Sequence, residues 1–498
     1  MANPTILWYD LETYGLNARL DRIASFACLR TNLNFDELDD GHTLYARLSP
    51  DYLPKPEAVL VNKLLPSHYI DSGLREHELA KAIFNEFSRP GTCVAGFNNI
   101  RFDDEFIRNL FYRNFYDIYN HAESRYDIID LVLACHDLRP EGIIWPSDDE
   151  GRFTFRLEKL TQANNLPHSY AHDALSDVKA TIAVIKLLNN KQPKLVKFHF
   201  EQRHARKLWH YINLQTNEPF VHTSRMLTNS NGFASSIMLP LMANSLNSKE
   251  IYCYDLRYDP SLLINLPAKE VVSRYFTSRS VLSADAERIH IKGVRLNKCP
   301  AIFPLQVWDK GCEERSGLTK ELALSRMQLI KDNFEPISAN LRAIDEALTG
   351  GADSKEPITE VDLLIYGGGF FSDSEKRLFE SIRQAKALEL PHLILPFKDN
   401  RSPELFKRYL GRNYPELLDE KSYNEWRRYC ANRLTFPPAS EALSFSDFRA
   451  KIGELSQNAG EADLELLKEL WQYGRRLEKT LLKSVKQATN QQLKLQLN

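Results

Sequence analysis

Residues 5–12 read Thr-Ile-Leu-Trp-Tyr-Asp-Leu-Glu, a short apolar run that ends in two carboxylates. A run of this length and composition predicts a buried β-strand. Side chains two positions apart on a strand point to the same face, so Asp10 and Glu12 are expected to lie side by side. Such a pair of hard oxygen ligands suits Mg²⁺ or Mn²⁺. The same spacing recurs later, for instance at Asp148 and Glu150, where a solvated pair is the simpler interpretation because no apolar strand precedes it.

Strand-like and helix-like patterns alternate through the first 190 residues. Apolar runs near 23–30, 43–48 and 93–97 predict further strands. Helical periodicity is found at 76–88, after residue 103, and at 126–137, 156–164 and 173–188. Strands followed by helices mixed with a strand predict an α/β domain on a mixed sheet.

Two segments rich in polar residues, glycine or proline divide the rest of the chain. Residues 191–194 read Lys-Gln-Pro-Lys, and residues 350–357 read Gly-Gly-Ala-Asp-Ser-Lys-Glu-Pro. A length of 498 residues calls for two or three domains. The predicted domains are 1–190, 191–349 and 350–498.

The second and third predicted domains differ in their patterns. Segments 251–256 and 288–294 are β-rich and separated by turn residues, which predicts a small β-barrel or sheet in the middle domain. Segments 374–389 and 462–490 have helical periodicity, which predicts a mostly α-helical last domain.

Composition restricts the function only weakly. The chain carries 64 Lys and Arg against 66 Asp and Glu, so a nucleic-acid partner requires positive charge gathered on one face. The seven cysteines form no C-x-x-C pair, as expected for reduced thiols in a cytoplasmic protein without a zinc or redox motif. No stretch approaches the roughly 20 apolar residues of a membrane helix, and no signal peptide is predicted at the start.

A third acidic position follows the strand at 93–97. Residues 98–105 read Asn-Asn-Ile-Arg-Phe-Asp-Asp-Glu and open a helix. Asp103 or Asp104 can simply cap that helix. A helix start beside a strand end is also where a third carboxylate can reach a metal held by the first strand.

Two overlapping matches to His-x-x-x-x-Asp occur further on: His168 with Asp173, and His172 with Asp177. Asp173 is well placed as the N-cap of the predicted helix. A histidine is usually structural or exposed, but beside a metal its imidazole suits removal of a proton from water. The residues alone leave the choice between the two pairs open.

If the second pair is the functional one, four carboxylates and one histidine predict phosphodiester hydrolysis with two metals. The ions would lie about 4 Å apart across the scissile phosphate. Asp10 would bridge them, His172 would deprotonate the water, and chelation would abolish activity. The remaining ligands would be Glu12, Asp103 and Asp177.

Several longer segments narrow the pattern to one family. They are residues 98–105, 111–117 (Phe-Tyr-Arg-Asn-Phe-Tyr-Asp), 139–146 (Arg-Pro-Glu-Gly-Ile-Ile-Trp-Pro), 155–158 (Phe-Arg-Leu-Glu) and 171–174 (Ala-His-Asp-Ala). With the acidic motifs, they resemble the bacterial exodeoxyribonuclease I family, in the subgroup of the DEDD exonuclease superfamily that uses H-x-x-x-x-D. The resemblance covers nearly the whole chain and is densest at 5–188.

The resemblance implies a ribonuclease-H-like mixed-sheet exonuclease domain, a middle domain with an SH3-like β-barrel, and an α-helical C-terminal domain. It favours the pair His172 and Asp177, with His172 activating water, and it implies that Arg156 contacts the substrate phosphate. It also implies two Mg²⁺ ions, with Mn²⁺ as a substitute, bound by four acids: Asp10, Glu12, Asp103 and Asp177.

The implied activity is 3′-to-5′ degradation of single-stranded DNA to 5′-mononucleotides, with roles in DNA repair and recombination. The resemblance further implies docking of the acidic C-terminal tail of single-stranded-DNA-binding protein. Nothing in the sequence requires an oligomer, so a monomer is expected.

Aromatic residues and arginines interleave between 97 and 126, as in many single-strand binding surfaces. Helical spacing makes most of these aromatics core residues, so Arg108 and Arg113 are the favoured DNA-facing side chains, with Phe102 as a further candidate contact. Beside the β-rich segments, two cations are predicted to form the far wall of a cleft: Arg295 and Lys298.

Two alternatives remain at this point. A 3′-to-5′ exoribonuclease or oligonucleotidase would share the chemistry and differ in its contacts to the 2′-OH, which no motif reveals. By resemblance such enzymes are typically single catalytic domains, which argues against them here. A catalytically inactive single-strand-binding scaffold would gain nothing from clustered negative charge.

Overall fold

The acidic strand predicted at residues 5–12 is the central strand of a five-stranded sheet. The computed structural model of the chain describes residues 3–168, 173–229, 232–278, 281, 287–352 and 360–496, without the side chains of 350–352 and 484–496. The strands of the first sheet are β1 (Thr5–Thr13), β2 (Ile23–Thr31), β3 (His42–Tyr45), β4 (Thr92–Gly96) and β5 (Ser124–Asp127).

This first sheet is mixed, as predicted. Its order is β3-β2-β1-β4-β5; β2 runs antiparallel to β1 and β3, whereas β1, β4 and β5 run parallel. Its helices are α1 (Pro56–Asn62), α2 (Glu76–Phe87), α3 (Asp103–Arg113), α4 (Ile129–Leu138), α5 (Leu157–Ala163) and α6 (Ala174–Lys191). We call these strands and helices the α/β region.

The alternation of side chains along β1 determines which helices its two faces meet. Leu7, Tyr9 and Leu11 pack in one core cluster with residues of α2 and α3. Ile6 and Trp8 pack in another, with residues of α4 and α6. Even-numbered side chains of β1 therefore face α4 and α6, so the carboxylates that continue this row point toward the start of α6.

The middle region contains a five-stranded antiparallel sheet, in the order β10-β6-β7-β8-β9. Its strands are β6 (Phe220–Thr223), β7 (Ser235–Ala243), β8 (Glu250–Asp255), β9 (Ile291–Arg295) and β10 (Ala301–Pro304). Its helices are α7 (Pro193–Glu201), α8 (Ala205–Leu208), α9 (Ser261–Asn265), α10 (Ala268–Phe276), α11 (Lys310–Ser316), α12 (Lys320–Asp332) and α13 (Phe334–Ala352).

The helical region follows, and residues 360–496 contain no strand. Its helices are α14 (Asp373–Gln384), α15 (Ser402–Asn413), α16 (Glu420–Thr435), α17 (Phe445–Ser456) and α18 (Glu461–Gln496). No described helix combines the length and apolarity that crossing a membrane would require. All seven cysteines are buried and free of disulfides.

Two predicted helices differ from the structure at their ends. The helix predicted at 126–137 starts only at Ile129, because residues 124–127 form β5 and pair with β4. The helix predicted at 374–389 ends at Gln384, because Ala385 is extended and a 3-10 turn containing Pro391 follows. In both places an apolar pattern continues across a change of backbone conformation.

Buried ions join the helical region to the α/β region. The Arg412 guanidinium on α15 lies 2.9 Å from the Asp51 carboxylate and also forms a bidentate contact with the Asp362 carboxylate. The three side chains are at most 1% exposed. Burial raises the pKa of Asp51, but Arg412 and other arginines outweigh burial and hold this pKa below its usual range. The buried positive charge of Arg412 therefore compensates the buried negative charges of Asp51 and Asp362.

Candidate metal centre

Asp10 and Glu12 lie at the carboxyl end of β1, beyond the point where β4 stops pairing with it. The pairing with β4 reaches only Trp8, whereas the pairing with β2 continues to Thr13. Both carboxylates are half-buried, and Leu11, which lies between them in the sequence, is buried. The sheet thus places two acids side by side at the carboxyl end of its central strand, as the sequence predicted.

Asp127, at the end of β5, organises the turn that leads from β4 to α3. Its carboxylate accepts hydrogen bonds from the backbone N–H groups of Asn98 at 2.8 Å, Ile100 at 3.2 Å and Ile129 at 3.0 Å. Asn98 has a φ of 66°, a conformation that asparagine tolerates better than most residues. This buried carboxylate fixes the path of the chain immediately before Asp103.

The adjacent acids Asp103 and Asp104 have different partners. The Asp104 carboxylate accepts a hydrogen bond from the Tyr9 hydroxyl at 2.8 Å and pairs with Arg125 at 2.5 Å. Asp103 is buried, and its charge raises the pKa of Asp10 on β1. Asp104 is therefore neutralised within the fold, while Asp103 faces the acidic end of β1.

The first turn of α6 adds another carboxylate. One oxygen each from Asp10, Glu12 and Asp177 can be chosen so that all lie within 4.8 Å of one another. The preceding Asp173 caps α6 by accepting a hydrogen bond from the Ser176 backbone N–H at 2.9 Å, so its predicted capping role is confirmed. Asp173 and Asp177, four residues apart at the start of α6, therefore have different roles: Asp173 caps the helix, and Asp177 belongs to the acidic cluster.

Burial and mutual repulsion raise the pKa values of this cluster. The pKa of Asp10 is raised by burial and by the charges of Asp103 and Asp177. Burial, followed by Asp10 and Asp177, raises the pKa of Glu12 to about 9. The pKa of Asp103 is also raised, mainly by burial. Without a cation these acids resist ionisation together, which is the electrostatic condition that a bound metal relieves.

Two predicted members stand apart from the 4.8 Å group. Asp103 is not in that group, although its charge raises the pKa of Asp10. His172 lies outside the described residues. The other histidine of the overlapping motifs, His168, contacts Asp177 rather than Asp173, with 2.6 Å between His168 Nε2 and Asp177 Oδ1.

The two arginines favoured as DNA-facing lie inside the protein. Arg113 is 3% exposed and pairs with Glu76 at 2.6 Å. Arg108 is 6% exposed and lies over the ring of Tyr119. Both arginines lie on the buried side of α3, which corrects the prediction that they form an exposed basic surface. Helical spacing alone does not reveal which arginines pair with a buried acid.

The remaining predicted contacts are residues that line two grooves, and one exposed arginine. Phe102 is half-buried and lines a groove with Leu16. Arg156 is exposed at the residue before α5. A larger groove of about 1250 Å³ runs between the α/β and middle regions, and Arg295 and Lys298 line it as predicted for a cleft wall.

Sequence reasoning missed the residues that support the acids. Asp127 and the pair of Asp104 with Arg125 are long-range contacts with no local motif. The contact of His168 with Asp177 had a signal, because His168 begins the first of the two overlapping motifs. The motif identified His168, but its spacing pairs His168 with Asp173 instead of Asp177.

The different roles of the two acids at α6 can be separated by mutation. We expect Asp173→Ala to cost about 1 kcal/mol of stability through loss of the cap, with metal-dependent turnover retained. Asp177→Ala should abolish turnover with a smaller effect on stability. Thermal denaturation and cleavage assays of both variants test this, and loss of turnover only in Asp173→Ala would contradict the assignment.

The fold and the acidic cluster define a class of protein. Residues 7–185 match the family model described as Exonuclease. Residues 203–345 match the Exonuclease I SH3-like domain, and residues 359–477 match the Exonuclease I C-terminal domain. An α/β exonuclease region, an SH3-like middle region and a helical C-terminal region confirm the predicted fold class.

Comparison with complete relatives identifies the family. Exodeoxyribonuclease I of Escherichia coli K12 is 35% identical over 473 residues, which cover 94% of this chain and 97% of the relative. The chain therefore belongs to the exodeoxyribonuclease I family, as the sequence motifs predicted. The crystal structure of E. coli exonuclease I in complex with a dA16 oligonucleotide has a TM-score of 0.88 at 34% identity, covering 95% of this chain and all of that one. The zinc-bound form of the E. coli enzyme with single-stranded DNA gives the same TM-score and identity, covering 96% and 100%.

Proposed function

We propose that this protein is a Mg²⁺-dependent exonuclease that removes 5′-mononucleotides from the 3′ end of single-stranded DNA. The observation that carries the proposal is the group of Asp10, Glu12 and Asp177, whose oxygens lie within 4.8 Å of one another. Family membership supplies the substrate, because a related structure holds a DNA oligonucleotide. Participation in DNA repair and recombination is part of the proposal and rests on the family alone.

The residues present fit a divalent cation. Carboxylate oxygens are the ligands that Mg²⁺ and Mn²⁺ prefer. Burial raises the pKa values of Asp10 and Glu12, and neighbouring carboxylates raise them further, so a bound cation would favour the ionised acids. We propose that Asp10, Glu12, Asp103 and Asp177 would together hold two divalent ions. The related zinc-bound structure supports metal binding in the family without fixing the ion.

Bound metal would supply Lewis-acid activation of water and charge stabilisation at the scissile phosphate. The protein's part is to hold the acids rigidly and to manage the proton. β1 carries Asp10 and Glu12, and the Asp173 cap fixes the start of α6, which carries Asp177. We assign removal of the proton from water to His172, since imidazole is suited to that task near neutral pH.

The strand behind the reacting nucleotide is proposed to follow the groove between the α/β and middle regions. Arg101, two residues before Asp103 in the sequence, lines this groove. Lys292 and Arg288 also line it. Such cations can meet phosphates, and we propose Arg156 as a further phosphate contact and Phe102 as an aromatic contact.

A protein partner and the assembly state are also proposed from the family. The acidic tail of single-stranded-DNA-binding protein is the proposed partner, and the chain is proposed to act as a monomer. Titration of the tail peptide and sedimentation of the protein measure both properties without involving the metal centre.

Substrate choice tests the proposal against its nearest rival. Oligonucleotides of one sequence should be offered as single-stranded DNA, blunt duplex DNA and RNA, each with Mg²⁺. We expect rapid degradation of the single-stranded DNA, with the duplex and the RNA degraded much more slowly. Equal or faster degradation of RNA would favour the oligoribonuclease alternative, and binding without degradation of any substrate would favour an inactive scaffold.

Metal binding should depend on pH because it displaces protons. The folded-state pKa of Glu12 is raised from 4.5 to about 9. Between these values the metal-free folded state binds more protons than the unfolded state, so its stability falls as pH rises. We expect the increase in melting temperature caused by Mg²⁺ to be larger at pH 9 than at pH 6.

The matched control is Glu12→Gln, measured by thermal denaturation in EDTA and in Mg²⁺. In EDTA the variant should lose less stability than the wild type as pH rises through this window. An identical pH dependence in the two proteins would contradict the assigned protonation of Glu12.

A further inference from the structure

His168 connects α5 to the acid on α6. Its Nδ1 lies 3.0 Å from the Thr161 hydroxyl, and its Nε2 lies 2.6 Å from Asp177 Oδ1. The side chains of His168 and Asp177 are 7% and 18% exposed, so bulk water competes little for the contact. The three residues form a continuous chain of hydrogen bonds from a helix backbone to the acidic cluster.

The chemistry of these groups fixes the direction of the hydrogen bond at Asp177. An ionised carboxylate only accepts, so His168 Nε2 must carry the hydrogen. In a neutral ring Nδ1 then accepts from the Thr161 hydroxyl; only a doubly protonated ring would donate from Nδ1, with the hydroxyl hydrogen directed to the carbonyl of Leu157 or Glu158, each 3.0 Å away. In either arrangement the imidazole is held from one side and presents an N–H to Asp177 on the other.

A carboxylate that binds a metal needs a defined orientation, and outer-shell hydrogen bonds commonly provide it. Asp177 reaches the cluster from a helix, whereas Asp10 and Glu12 are held by the sheet. With Oδ1 anchored by His168, the Asp177 side chain cannot rotate away without breaking that bond.

We propose that His168 is a positioning residue that orients Asp177 for metal binding, with Thr161 orienting His168 in turn. The inference rests on the proposed function, and it gives the first histidine of the overlapping motifs a role distinct from the one assigned to His172. His168 touches the metal ligand and is not assigned contact with the substrate.

The test uses His168→Leu, which removes both hydrogen bonds, and His168→Gln, whose amide can still donate to Asp177. Mn²⁺ binding to the DNA-free protein is measured by calorimetry, and the Mg²⁺ dependence of cleavage is measured separately. We expect His168→Leu to weaken Mn²⁺ binding about 10- to 100-fold. His168→Gln should stay within about threefold of the wild type on that scale. At saturating metal, His168→Leu should have the wild-type KM for DNA, and most of its kcat should be restored.

One matched pair and one surface control separate positioning from folding. Thr161→Val should weaken Mn²⁺ binding in the same direction and less strongly, while Thr161→Ser should not. His68→Leu breaks a surface contact of 3.1 Å to Glu469 and should leave metal binding unchanged. If His168→Leu does not fold, the comparison of His168→Gln, Thr161→Val and Thr161→Ser decides the question.

The outcomes distinguish this inference from the proposed function. Wild-type Mn²⁺ affinity in a folded His168→Leu variant would overturn the positioning role and leave the exonuclease proposal standing. Equal loss of affinity in His168→Leu and His168→Gln would also overturn it, because the donor to Asp177 would then be irrelevant. A wild-type protein that neither binds Mn²⁺ nor cleaves DNA would overturn the proposed function itself.

Discussion

Asp10→Asn is expected to reduce the rate of DNA cleavage by roughly 10⁴-fold, the scale seen when one member of a cooperating catalytic set is removed. The change is nearly isosteric and removes one negative charge from the acidic cluster at the end of β1. Asp10 is the acid whose pKa is raised by both Asp103 and Asp177, so it is central to the site. Binding of single-stranded DNA should persist, because removing a negative charge does not repel phosphate.

The control for this prediction is Asp148→Asn. Asp148 and Glu150 have the same two-residue spacing as Asp10 and Glu12, but Asp148 is half-buried, Glu150 is exposed, and both pair with Arg152. Cleavage rates and DNA affinity are measured for both variants. Near-normal cleavage by Asp10→Asn, or an equal loss in Asp148→Asn, would contradict the proposed metal centre.

Arg412→Leu is expected to destabilise the protein by about 3–5 kcal/mol, the usual cost of leaving a buried charge without its partner. The substitution removes the guanidinium that contacts Asp51 and Asp362 together, and both carboxylates are fully buried. Their pKa values, held low by Arg412 against burial, should rise. The change should therefore weaken attachment of the helical region to the α/β region.

Urea and thermal denaturation measure this effect. Arg89→Leu is the matched control, because Arg89 pairs with Glu86 on the surface and its side chain is 54% exposed. That variant should change stability by no more than about 0.5 kcal/mol. An Arg412→Leu protein as stable as the wild type would show that the buried ions contribute little to the junction.

The α/β region could be predicted in detail because its strands and helices have distinct periodicities. The alternation on β1 placed Asp10 and Glu12 on one face, and the cap at Asp173 marked the start of α6 within one residue. The change from strand to helix near Ile129 was not predicted, since buried residues on both sides form one apolar pattern.

Contacts between distant segments could not be predicted from local patterns. The sequence predicted that Arg113 faces DNA, whereas in the structure Arg113 pairs with Glu76 of another helix. His168 looked like the partner of Asp173 by spacing, whereas the fold brings it to Asp177. Burial of charge depends on which acid the tertiary structure places opposite, and a single sequence does not contain that information locally.

The most direct test of the exonuclease proposal is digestion of 5′-labelled single-stranded DNA with Mg²⁺ and, in parallel, with EDTA. We expect a ladder of labelled products shortening from the 3′ end with Mg²⁺, and intact DNA with EDTA. Intact DNA under both conditions, or immediate release of the 5′ label as a mononucleotide, would contradict it.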